Sequence, residues 1–168
     1  METWLETSFS DLYKSTVNAF PKTAKRQHAI DPVVVEDVNW LPYLGMNTLL
    51  VRGLSRSSEK VHKTLVLFKN VSYYKENQKG LVVLKADGED YYLEQLSFDK
   101  DILLRCSCED FYWRFNYFNH LDKSLYGVKR AKYEAKYNPG SANPKSMPGM
   151  CKHLIKLVKN ISNTKIIS

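Results

Sequence analysis

At 168 residues the chain has room for one domain of ordinary size and little room for two. Hydrophobic residues make up 43% and charged residues 26%, which excludes a disordered composition, and no apolar run approaches the roughly 18 residues of a membrane span. The formal charge of +7 is uneven: Lys123 to Lys165 carries ten Lys/Arg against Glu134 alone, or +9, while the remainder carries 15 basic and 17 acidic residues, or −2.

Glu2 and Glu6 bracket Trp4 and Leu5 where a signal peptide has a basic start and an apolar stretch, so an exported, disulfide-built protein is not expected. Leu5, Phe9, Leu12, Tyr13, Val17 and Phe20 recur at three- and four-residue steps up to Pro21, which predicts an amphipathic N-terminal helix. From Pro32 to Ser107 the signals become strands. Val33 to Val35, Thr48 to Leu54, Thr64 to Tyr73, Leu81 to Leu84, Tyr91 to Leu96 and Ile102 to Leu104 are β-branched, aromatic or leucine-rich, with turn residues between them. Ala86-Asp87-Gly88-Glu89 suits a type I′ hairpin, because Asp and Gly tolerate the positive φ angles of that turn. Arg56 to Lys60 reads as a longer hairpin loop. The expectation is a small, mostly antiparallel sheet with the N-terminal helix over one face.

Phe111 to Phe118 is too aromatic to show a period, and Asp122 to Gly149, rich in Lys, Tyr, Asn, Pro and Gly, reads as a long basic loop. After Pro148-Gly149, residues His153, Leu154, Leu157, Val158 and Ile161 share one face of a short C-terminal helix.

The chemistry is concentrated in the cysteines. All three fall in the pattern Cys106-x-Cys108, 42 intervening residues, then Cys151-x-His153. Zinc needs four soft or borderline donors in a tetrahedron, and two close pairs supply them with one loop closure between. Cys106, Cys108, Cys151 and His153 are therefore the candidate ligands of one structural zinc ion, which would staple a strand end to a helix start. Three buried cysteines beside an incidental histidine, or a disulfide that leaves an odd thiol, are the alternatives. A Cys151 nucleophile with His153 as base is disfavoured, since side chains two apart on a helix do not face each other. Four protein ligands also close the shell that a catalytic zinc keeps open. No phosphate-binding, dinucleotide-binding or nucleophile-elbow motif is present. The expectation is a protein that is not an enzyme and has no small-molecule substrate.

This C-x-C, spacer, C-x-H pattern resembles the SWIM zinc finger, whose members bind DNA or protein partners. The string Arg105-Cys106-Ser107-Cys108-Glu109-Asp110-Phe111-Tyr112-Trp113-Arg114-Phe115, with Leu125-Tyr126-Gly127 and Pro148 to His153, is similar to small proteins of tailed bacteriophages. That resemblance implies a virion protein made in the bacterial host cytoplasm, a ring or connector component at the head–tail junction. Its partners would be other virion proteins, with a ring-shaped homo-oligomer as one arrangement. The second reading is a SWIM-type DNA-binding accessory protein.

Tyr112, Trp113, Phe115, Tyr117 and Phe118 would pack a small zinc-centred core or, alternatively, stack on unpaired bases. Arg114, Lys129, Arg130, Lys132 and Lys136 are the candidates for contact with a polyanion or an acidic partner; a solvated lysine-rich surface is the plainer alternative. His120 reads as a surface histidine, and His28 and His62 carry no functional signal. The expected fold is α+β, in which residues 1–105 form the helix and sheet and residues 106–168 the zinc-clamped region, packed as a single domain.

Overall fold

The computed structural model describes residues 8–20, 33–130, 143 and 145–168. Helix α1 spans Phe9–Ala19 and begins at a reciprocal cap. Ser8 Oγ accepts from the Asp11 backbone N–H at 3.2 Å, and the Asp11 carboxylate accepts from the Ser8 N–H at 3.3 Å, so two of the helix's orphan donors are satisfied at once. Phe9, Leu12 and Thr16 form its buried face, and Phe20 is buried just beyond its end. Leu5, assigned to the same stripe from sequence, lies outside the described residues.

Strands β1 (Val33–Tyr43), β2 (Thr48–Ser57), β3 (Lys60–Phe68) and β7 (Ile102–Cys106) form an antiparallel sheet in that spatial order. Strand alternation puts Leu49, Val51, Gly53 and Ser55 of β2 on the core side. The β2–β3 connection is tighter than the sequence reading. Arg56 pairs with Val61 and Ser57 with Lys60, so the turn is only Ser58-Glu59, with Ser58 at φ 57°. A polar residue that accepts a left-handed conformation let the two strands continue closer to each other.

Strands β4 (Tyr73–Tyr74), β5 (Leu81–Ala86) and β6 (Glu89–Glu94) make a second antiparallel sheet in the order β4-β6-β5. The expected hairpin at Asp87-Gly88 is present, with φ of 51° and 77°. A single sheet was expected, and a single strand from Thr64 to Tyr73; both are corrected. That strand stops at Phe68, Asn70 turns at φ 55°, the Val71 N–H binds Asn47 O at 2.8 Å, and Tyr73 joins the second sheet. The C-terminal tail returns beside β6: the Leu96 N–H binds Ile166 O and the Ser168 N–H binds Leu96 O, which buries Ile166 and Ile167.

The aromatic run folds as two short helices, α2 (Glu109–Arg114) and α3 (Asn116–Leu121), and α4 spans Lys152–Ile161. The helix lying across β1, β2 and β3 is α4, whereas the sequence reading gave that place to the N-terminal helix. Helix α4 buries Leu154, Ile155, Leu157 and Ile161, each contributing about 1.5–3 kcal/mol on removal from water. Helix α1 sits alongside, with Phe9 edge-on to Phe68 and Phe98, and Phe20 edge-on to Phe115. Gly53 permits the close approach of α4, since a Cβ there would stand 2.6 Å from Thr64 Oγ1 and 2.9 Å from Leu157 Cδ1. One continuous hydrophobic core includes residues from α1, both sheets and α4.

Candidate metal centre

Three separate segments converge at one end of the first sheet. Cys106 is the last residue of β7, opposite Thr64 of β3. Ser107 continues that pairing: its N–H binds Lys63 O, and its Oγ accepts from the Lys63 N–H, both at 2.9 Å. The intervening residue of Cys-x-Cys thus fixes the pair to the sheet.

Cys108 then caps α2, its sulfur accepting from the Phe111 N–H at 3.3 Å. Cys151 occupies the N-cap position of α4. Both sulfurs therefore lie at helix starts, where partial positive charge favours a thiolate. His153 is in the first turn of α4, and its Nδ1 lies 3.9 Å from Cys151 Sγ. Cys151 has extended backbone angles (φ −74°, ψ 170°), so the helical i, i+2 divergence does not apply to it.

The one donor atom from each of Cys106, Cys108, Cys151 and His153 lies within 4.8 Å of the other three, and all four residues are buried. A tetrahedral ion with sulfur bonds of about 2.3 Å needs donor separations of about 3.8 Å. The site therefore fits one metal ion after a small contraction. His153 Nε2 is buried with no hydrogen-bond partner among the described residues.

The three thiols influence one another strongly. Burial pushes the Cys151 thiol well up, and Cys106, which shares its proton with Cys108, is held up too. Cys108 is pulled far down by hydrogen bonds from Cys106 and Cys151. The three thiols are thus driven in opposite directions, Cys108 toward the thiolate and its two neighbours away from it, because crowded buried thiolates repel. All three cysteines are free thiols.

The second half of the site is braced from outside. Buried Asn119 of α3 exchanges two hydrogen bonds with Gly149: Asn119 Nδ2 to Gly149 O at 3.0 Å and the Gly149 N–H to Asn119 Oδ1 at 2.8 Å. The Met150 N–H binds Thr16 Oγ1 at 2.9 Å. Ser124 and Tyr126 run beside β7, bonded to Leu104, and Arg105 Nη1 reaches Tyr126 O and Val128 O.

The candidate polyanion contacts are dispersed in their roles. Arg114 pairs with Asp110 at 2.6 Å and lies 5.6 Å from the Phe20 ring centroid. Arg130 covers the rings of Tyr112 and Trp113 at 4.1 and 4.2 Å and donates to Tyr112 O. Lys129 is exposed. Lys132 and Lys136 lie outside the described residues. Phe111 and Phe115 are wholly buried, so core packing claims them, whereas Tyr112 and Trp113 are exposed. His120 lies in α3 and is not part of the cluster.

Sequence reasoning missed His62. It stands on β3 opposite Ser55, and its ring centroid lies 4.5 Å from that of His153 with the planes inclined at 49°. Burial, and then the neighbouring His153, pull its imidazole below the usual histidine range. Nothing local marks it, because it comes 44 residues before Cys106 and joins the site only through strand pairing.

Compared with family models, curated proteins and solved structures, the chain finds no match. No helix among the described residues is long and apolar enough to cross a membrane.

Proposed function

We propose that the cluster holds one zinc ion and that the chain is a non-enzymatic structural module stapled by it. The observation that carries this reading is the convergence of four buried donors from β7, the start of α2 and the start of α4 within 4.8 Å. Three sulfurs and one imidazole suit zinc over the oxygen-seeking cations. Four protein donors leave no position for water or substrate, so bound zinc would supply folding energy rather than Lewis-acid chemistry.

The biological setting follows the resemblance to tailed-phage proteins: a virion component, made in the host cytoplasm, in a ring or connector at the head–tail junction. The uneven charge supports contact with a differently charged neighbour, either another virion protein or a further copy of this chain. Two placements count against the DNA-binding alternative. Arg114 and Arg130 are occupied by Asp110 and by the Tyr112–Trp113 pair, so ring faces and guanidinium groups that would meet bases and phosphates already meet each other.

Fractionation of phage particles, with mass spectrometry and metal analysis of this chain, tests the reading. Stoichiometric presence with about one zinc per chain is expected. Absence from particles, with co-purification on DNA from infected cells, would transfer the argument to the DNA-binding reading. A chain isolated without metal from zinc-replete cells would remove the staple altogether.

A further inference from the structure

We propose that His62 is a positioning residue of this metal centre, its ring packed on that of His153 so that the ligand imidazole keeps its orientation in the cluster. The inference rests on the metal-centre reading and deepens it.

A ligand histidine has two side-chain torsions to fix, and its second ring nitrogen ordinarily does this by hydrogen bonding to a carboxylate, carbonyl or water. Among the described residues His153 Nε2 is buried without a partner, and Nδ1 lies 3.9 Å from Cys151 Sγ, so neither nitrogen has a carboxylate or carbonyl to orient it. Ring packing is a restraint of another kind, and His62 supplies it at 4.5 Å between centroids.

Its own placement is firm. His62 pairs with Ser55 in the β2–β3 ladder, and Thr64, two residues further along the same face, stands opposite Cys106. One strand thus sets both the ring that holds His153 and the strand end that presents Cys106. His62 is only half-buried whereas His153 is 3% exposed, so the His62 ring also forms part of the cover over the ligand. His62 is not itself among the four clustered donors.

The test uses the full chain loaded with Co²⁺ alone, followed by absorption and by the rate of metal transfer to a colorimetric chelator. His62→Ala should release metal about tenfold faster or more, the scale on which groups behind the ligands act, with the thiolate-to-cobalt bands retained. His62→Phe, which keeps a ring and removes both nitrogens, should return the rate to within about twofold of the original chain.

Unchanged release in His62→Ala would overturn the proposal. Equal acceleration in His62→Phe would also overturn it, by showing that a nitrogen rather than the ring matters. Cobalt bands shifted alike in His62→Ala and His62→Phe would show that a His62 nitrogen is a ligand instead. Should His62→Ala fail to fold, His62→Leu, which fills the space without a ring, takes its place beside His62→Phe, with the same faster release expected. Absence of the thiolate band in the unmodified chain would instead sink the metal centre itself, so the two failures are distinguishable.

Discussion

Thr16 and Met150 are 134 residues apart in sequence, yet the Met150 N–H donates to Thr16 Oγ1 at 2.9 Å in the core. The hydroxyl in turn donates to Leu12 O at 2.8 Å. The first helix is thereby bonded to the residue that precedes Cys151.

Replacing Thr16 by Val keeps the volume and removes the acceptor. The Met150 N–H would be left buried and unpaired, at a cost of about 1–3 kcal/mol. Urea unfolding of Thr16→Val should show the loss. A stability within about 0.3 kcal/mol of the original chain would mean that the bond contributes nothing net.

Gly53→Ala should destabilise by about 1–3 kcal/mol through overpacking, because the added Cβ meets Thr64 and Leu157 inside normal contact distance. Gly45 has nothing within 4 Å of such a Cβ. Gly45→Ala is therefore the control, expected to leave the melting temperature nearly unchanged, and the contrast between the two is the measurement.

Metal affinity should weaken as the pH falls. Cys106 and Cys151 sit above the ordinary thiol range in the ion-free chain and keep their protons through neutrality, while hydrogen bonds from both hold Cys108 below it. Binding expels about two protons, so the bound state carries fewer than the free state and acid favours release, by up to about a hundredfold per pH unit. Chelator competition at pH values of about 6, 7 and 8 checks the slope; a flat profile would mean that the thiols are already ionised.

Cys106→Ser or His153→Ala should abolish stoichiometric metal binding and loosen the region from Cys106 onward while sparing much of the sheet. Hydrogen exchange reads this directly. Faster exchange confined to α2, α3 and the start of α4 is the expected pattern. Uniform acceleration across β1 to β3 would show that the centre supports the whole fold, and unchanged exchange with full metal content would remove these residues from the ligand set.

Local signals were the ones that could be read in advance. Asp87-Gly88 declared its turn because both residues take positive φ on their own account, and the apolar face of α4 showed in its spacing. Errors arose where a distant contact overruled a local pattern. The run from Thr64 to Tyr73 has continuous strand character, yet Asn70 turns it so that Val71 can bind Asn47 and Tyr73 can pair with Leu93. Cys151 and His153 lie two apart, a spacing at which helical side chains diverge, but Cys151 is an N-cap with extended backbone and its sulfur lies 3.9 Å from His153 Nδ1.

Amino-acid order alone named the four candidate donors, since three cysteines and one histidine in two close pairs are a chemical pattern that survives any tertiary arrangement. The α+β character and the antiparallel pairing were equally local, being carried by hydrophobic period and turn residues. Only the folded chain decided that the strands divide into two sheets, that α4 rather than α1 lies across the first, and that His62 rests on His153. Those outcomes depend on shape and long-range pairing: the close approach permitted at Gly53, and the register that sets Ser55 opposite His62 and so brings the His62 ring to His153.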